Sequence, residues 1–291
     1  MLGGAFFLCR KICKHFCTSL LQYVIKLALY EVFKCLKRKE GKFMENKVLD
    51  QMLSRFSVRA FTDKKIEPEI LQQITQAAQQ APNSINGQQI SLITIQDKET
   101  LGKLADLCGG QAHIRNAAAF ILVVADFNRV KKAVEFAGAT FGATDSIEGL
   151  ITGAVDAGIT VQALETAAGS FGIGSTVIGA LRGNMQGVID LFNLPKYTVP
   201  IVGLTMGYPD VAKLSDVKPR IDKAAYAFAE TYPSEVDFKA VFESYDKTIK
   251  EFGERVGLAA TYNDTVTKMY SNTGTKRDTA ATYEKQGFKL K

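Results

Sequence analysis

Between residues 146 and 171 the chain carries apolar or small residues at Ile147, Leu150, Ile151, Ala154, Val155, Gly158, Val161, Leu164 and Ala168. Their spacing follows the helical period, yet the apolar surface covers more than one stripe. Such a helix has no broad face to offer to water. It has to lie in a domain core or in a subunit interface, and the rest of the chain must be arranged around it. Gly172-Ile173-Gly174 is where it ends.

The flanking segments supply that arrangement. Residues 45–54 read as a short helix. Pro68 stands at the first turn of a helix running to about Gln80. Residues 90–96 alternate and are β-rich, 97–107 read as a helix stopped by Gly109-Gly110, and 118–127 form a fully apolar strand. A short strand is expected over 175–181, a helix over 184–192, a buried strand over 199–208 and an amphipathic helix over 236–252. The tail from Asn263 reads as a polar arm. Four strands among many helices, without a βαβαβ rhythm, predict an α+β fold rather than a doubly wound sheet.

The formal net charge of +6 is confined to the first 43 residues. Nine Lys/Arg there (Arg10, Lys11, Lys14, Lys26, Lys34, Lys37, Arg38, Lys39, Lys42) face only Glu31 and Glu40, so the segment carries +7 and the remainder −1. The body is therefore not a nucleic-acid binder by charge. Cys9, Cys13, Cys17 and Cys35 also lie in this segment; Cys108 alone lies beyond it. Cys9, Cys13 and Cys17 share a helical face, which suits a palmitoylated basic membrane anchor, whereas the spacing suits zinc poorly. The competing reading is an over-called start, with the native chain opening at Met44. Lys39-Glu40-Gly41 would be encoded by a purine-rich stretch resembling a ribosome-binding sequence. The expected division is thus a basic extension, 1–43, and a main domain, 44–291. No run of about 18 uninterrupted apolar residues occurs anywhere in the chain, so a polytopic membrane protein is not expected.

Motifs exclude much chemistry. HExxH, CxxC pairs, G-x-S-x-G and the P-loop pattern are all absent, so neither metal ligands nor a protein nucleophile is expected. The lone body histidine, His113, reads as structural. Gly169–Gly174 lacks the G-x-G-x-x-G spacing and follows a helix, so no Rossmann crevice is expected. Three clusters can instead hold an anionic cofactor through converging cations and amides. They are Arg55-Phe56-Ser57-Val58-Arg59, residues 81–88 around Asn83, and Lys218-Pro219-Arg220. Alternate positions put Arg55, Ser57 and Arg59 toward one ligand.

Together with further blocks, these clusters resemble the nitroreductase family of FMN enzymes. The blocks are Ser57-x-Arg59-x-Phe61-Thr62-Asp63, Gly109-Gly110-Gln111-x-His113, Ala125-Asp126-Phe127-Asn128-Arg129, Ile178-Gly179-x-Leu181-Arg182-x-Asn184, Gly207-Tyr208-Pro209, Lys218-Pro219-Arg220 and Lys276-Arg277-Asp278-Thr279. The NADPH-dependent, oxygen-insensitive nitroreductase and flavin reductase branch is the nearer match, from Met44 to the C-terminus. The resemblance implies a mainly antiparallel sheet surrounded by helices, a cytoplasmic homodimer, and two FMN sites at its interface. It implies FMN contacts at Arg55, Phe56, Ser57, Val58, Arg59, Asn83, Gln111, Val177, Ile178, Gly179, Ala180, Lys218 and Arg220. Phe56 stands where a polar residue is expected, and Asn83 replaces part of a serine-rich run. Lys276 and Arg277 would select NADPH, with Ser271 near the place of a further arginine. The implied activity is ping-pong transfer of hydride from NADPH to nitroaromatics, quinones or free flavin. Two alternatives stay open: a flavin carrier or sensor without turnover, and a membrane-anchored reductase that uses residues 1–43.

Overall fold

The computed structural model describes residues 46–271 and 279–290. The chain divides into two compact units, Met1–Asp50 and Gln51–Lys291. Of the first, only 46–50 are described, so the readings of 1–43 lie outside the described residues.

The second unit is built on a four-stranded antiparallel sheet of order β1-β2-β4-β3. These strands are β1 Ile90–Ile95, β2 Ala119–Asp126, β3 Gly174–Ile178 and β4 Thr198–Gly207. β2 is uniformly apolar because both of its faces are covered. Ala119, Ile121 and Val123 pack with Leu71, Ile74, Leu164 and Leu204 on one face. Phe120, Leu122 and Val124 pack with Leu101, Leu104 and Val188 on the other. The register against β4 shifts between Val123 and Val124, and beyond it Ala125 packs with Phe127 and Val199. Gly203 makes room for the ring of Phe120, which a Cβ there would meet at 2.0 Å.

The first face is covered by α2 Pro68–Gln79 and the second by α3 Lys98–Leu107, with α1 Lys47–Ser54 preceding both. Asp97 caps α3 by accepting from the Thr100 amide. A short helix, α4 Ala112–Arg115, leads into β2, and α5 Phe127–Phe136 leaves it. The sequence reading missed α5. No loop precedes it, because Asp126 ends the strand and caps the helix through the Arg129 amide at 3.1 Å.

The long helix, α6, runs over Ile147–Ser170. Its length and composition would also suit a membrane span. Here it packs on the sheet and α2, with Ala157, Val161, Leu164 and Ala168 buried. Ile147, Ile151, Val155 and Ile159 form a second, exposed apolar face. Val161 therefore belongs to the core of the chain and not to an outer face.

Two expectations need correction. The strand expected over 175–181 stops at Ile178, and Ala180–Asn184 is a 3₁₀ turn. Leu181 is buried there, and Arg182 donates to the Ile201 carbonyl at 2.8 Å, which pulls the chain off the sheet edge. α7 Met185–Leu191 follows. The tail is not a mere arm. After α8 Phe238–Val256, α9 Tyr262–Tyr270 starts from a Thr261/Asp264 capping box. α10 Ala280–Lys285 leads to Phe288, fully buried edge-on against Phe127. Gln286 locks that end by donating to the Thr198 carbonyl at 2.8 Å. Polar composition concealed one buried aromatic and one buried amide.

Candidate functional site

Residues 55–62 cross the ends of β3 and β4. The Val58 amide donates to the Ser175 carbonyl at 2.9 Å, and the Thr176 hydroxyl donates to the Val58 carbonyl at 2.6 Å. Further along, the Thr62 amide donates to Tyr208 O at 2.8 Å and the Asp210 amide to Ala60 O at 3.0 Å. Val58 faces inward and is 6% exposed. It lies so close to Gly174 that a Cβ there would stand 2.7–2.8 Å from three of its side-chain carbons. Arg59, the next residue, faces outward, exposed, with no ion-pair partner among the described residues.

Arg55 does not share that freedom. Its guanidinium pairs with Glu165 Oε1 at 3.2 Å, and the Ser175 hydroxyl donates to the same oxygen at 3.0 Å. The expected trio of Arg55, Ser57 and Arg59 is thus split: Arg55 fastens the segment to α6, while Arg59 stays available. Phe56 is half-buried and lines, with Arg55, Val58 and Glu165, a cavity of about 200 Å³.

The 111–113 and 177–180 segments join this place. β3 carries Val177, 40% exposed, and Ile178, buried in the core. Gly179 and Ala180 continue into the turn. Gln111 starts α4 after Gly109 and Gly110, whose φ values of 82° and 75° close α3 and leave open space where a Cβ would stand. His113, read from the sequence as structural, lies within reach of the Arg59 charge. Burial, and then the positive charge of Arg59, hold its imidazole below the ordinary histidine value of 6.5. It is neutral at pH 7, and its Nε2 is buried with no hydrogen-bond partner among the described residues. The signal available in the sequence was only its place two residues beyond Gln111.

Lys218 and Arg220 lie on an exposed loop and have no ion-pair partner among the described residues. Pro219 ties the loop to α8 by accepting from the Tyr245 hydroxyl at 2.8 Å. Burial raises the Tyr245 pKa, and the nearby charge of Arg220 opposes that rise.

Asn83 sits elsewhere. Its Oδ1 accepts from the Gln88 amide at 2.9 Å, and it lines, with Gln72, Gln76, Gln88 and Arg129, a cavity of about 670 Å³. The loop is fastened to Asp156 of α6, whose carboxylate accepts from the Ser84 amide at 3.3 Å and from the Gln89 side-chain amide. Asp156 and Glu165 are nine positions apart, roughly 13 Å along the helix and on opposite flanks at about 100° per residue. One chain therefore holds the Asn83 loop and the Arg59 segment apart. Lys276 and Arg277 lie outside the described residues.

The chemistry of this place suits an anionic group. It offers an unpaired guanidinium on a strap held to β3, a neutral imidazole within reach of that charge, and open space at two glycines. Among the described residues it has no reactive thiol, because burial pushes Cys108 up to about 11.

Residues 52–208 match the Nitroreductase family model, and 218–291 match that of the Nitroreductase family, C-terminal domain. The chain belongs to the nitroreductase family. It is 42% identical over 208 residues to the FMN reductase (NAD(P)H) of Bacillus subtilis, covering 71% of this chain and 83% of that protein. It is 34% identical over 196 residues to the oxygen-insensitive NADPH nitroreductase of Salmonella typhimurium, covering 67% and 78%. The solved structure of B. megaterium NfrA2 superposes with a TM-score of 0.80 at 38% identity, covering 85% of this chain and all of that one.

Proposed function

We propose that the chain is an FMN-dependent oxidoreductase that takes hydride from NADPH and delivers electrons to nitroaromatics, quinones or free flavin, as a cytoplasmic homodimer. The observation that carries this reading is Arg59, an unpaired cation on a strap held to β3 through Val58, whose charge acts on the neutral His113. Bound FMN would supply two-electron carriage between nicotinamide and acceptor. Arg59, Lys218 and Arg220 are cations suited to its phosphate and to the electron-rich end of its ring. Gln111 suits the pyrimidine edge. Because His113 is neutral, the charge at this point is that of Arg59. Glu165 sets the strap through Arg55. The relatives named as FMN reductase and NADPH nitroreductase support turnover over a carrier or sensor role.

Dimerisation is supported by the exposed face of α6, where Ile147, Ile151 and Val155 are 47%, 48% and 55% exposed. Two copies offer a way to bring an Asn83 loop and an Arg59 segment onto one flavin. The decisive experiment is anaerobic addition of NADPH to the purified yellow protein. Bleaching of the flavin, followed by reoxidation with nitrofurazone, a quinone or FMN, is the expected result. Flavin that is bound but not reduced would leave the carrier reading. Comparison of both nicotinamides in the same assay reads cofactor preference.

A further inference from the structure

We propose that Asp156 is a positioning residue that holds residues 83–89 in the strained conformation presenting Asn83 and Gln88. The consequence for flavin rests on the reading that Asn83 belongs to a flavin site; the effect on the loop does not.

Asp156 is an unusual tenant of its helix. It is 3% exposed within an otherwise apolar segment. Burial raises its pKa, and the only opposing influences are the Ser84 amide and the Gln89 side chain. No cation acts on it from α2, the sheet or its own helix among the described residues. A carboxyl raised in the folded state gives stability below about pH 3.8 and loses it as pH rises through the folded value. At neutral pH its charge therefore costs stability, so its value to the fold has to lie in what it holds.

What it holds is the loop. The two oxygens take the Ser84 amide, and Oδ2 takes the Gln89 side-chain amide. Between these anchors Ile85, Asn86 and Gln88 have φ of 50°, 55° and 50°. This region disfavours every L-residue and β-branched isoleucine most. Ile85 is 97% exposed, so no packing within its own chain compensates for its conformation. The carbonyl side of the same loop is gripped by Arg129, which donates to Gln88 O and, at 2.8 Å, to Ile90 O. Amides go to an anion on α6 and carbonyls to a cation on α5. Neutralising the anion leaves the strain unopposed, and the backbone relaxes.

The test is Asp156→Asn in the full chain. Amide exchange in the peptide spanning 83–90 should accelerate by about tenfold or more, and the FMN dissociation constant should rise by about tenfold. The melting temperature should hold or rise, the opposite of what a merely structural carboxylate would show. Unchanged exchange and affinity, or a fall in melting temperature with no local acceleration, overturns the proposal. Gln89→Met, which removes one donor and keeps the volume, should speed exchange in the same peptide. If Asp156→Asn does not fold, unchanged exchange in Gln89→Met is the refuting result. If the wild-type chain binds no FMN, the flavin reading falls, while exchange still decides the role of Asp156.

Discussion

Arg59→Ala and Arg55→Ala should damage the protein in different ways. Arg59 is exposed, and no carboxylate pairs with it among the described residues, so its truncation should change folding stability by no more than about 0.5 kcal/mol. If it faces an anionic flavin group, the lost charge-assisted contact is worth about 1.5–3 kcal/mol. FMN affinity should then fall by roughly one to two orders of magnitude. Arg55 is 32% exposed at its side chain and pairs with Glu165, which is only 10% exposed. Its loss leaves Glu165 with the Ser175 hydroxyl alone. A part-exposed pair is worth less than a buried one, so about 1–2 kcal/mol is the expected cost. At about 2–4 °C per kcal/mol for a domain of this size, the melting temperature should drop by several degrees. Fluorescence titration of flavin-free protein and a thermal scan of each variant read the two quantities. The reasoning is refuted if Arg59→Ala keeps wild-type affinity, or if it loses as much melting temperature as Arg55→Ala.

Val155→Asp puts a charge on the exposed apolar face of α6 and should give monomers by light scattering with loss of bound FMN; dimers that retain flavin would exclude this face as the interface. Val161 is a core residue, so Val161→Glu should instead unfold the chain, as a far-ultraviolet circular dichroism spectrum would reveal. His113 has a depressed pKa, so its contribution to stability is full above about pH 6.5 and is lost as pH falls through the lower folded value. His113→Gln should flatten the fall in melting temperature of the flavin-free protein between about pH 7 and pH 5. Changing Lys276 and Arg277 together to Ala should raise the Michaelis constant for NADPH and leave that for NADH nearly unaltered, with FMN still bound; equal responses would exclude these residues as the selector.

Elements with a strong period were legible. α6 announced itself through nine apolar positions, and its limits, Ile147–Ser170, fall one residue inside the expected span. β2 and β4 were legible as apolar runs, although a run does not say which face meets which helix. That division came from alternation against two different clusters. Elements defined by a single contact were not legible. Nothing in Thr-, Lys- and Gln-rich sequence marks Phe288 as the residue that docks the C-terminus, because one aromatic has no period.

The site shows the same limit at a finer scale. Cations and amides were legible because a ligand-facing group must carry the right chemistry itself. Arg55 met that criterion and was still drawn off by Glu165, since a cation near a half-buried carboxylate binds it first. Asp156 and Glu165 gave no signal, because single acids in an apolar helix look like solvent-facing positions. Their spacing sets them on opposite flanks of a helix, but only the packing of α6 shows that each fastens one candidate flavin segment. Residues that touch a ligand can be sought by chemical type. Residues that shape the loops carrying them depend on a third element, and their role exists only once that element is folded between them.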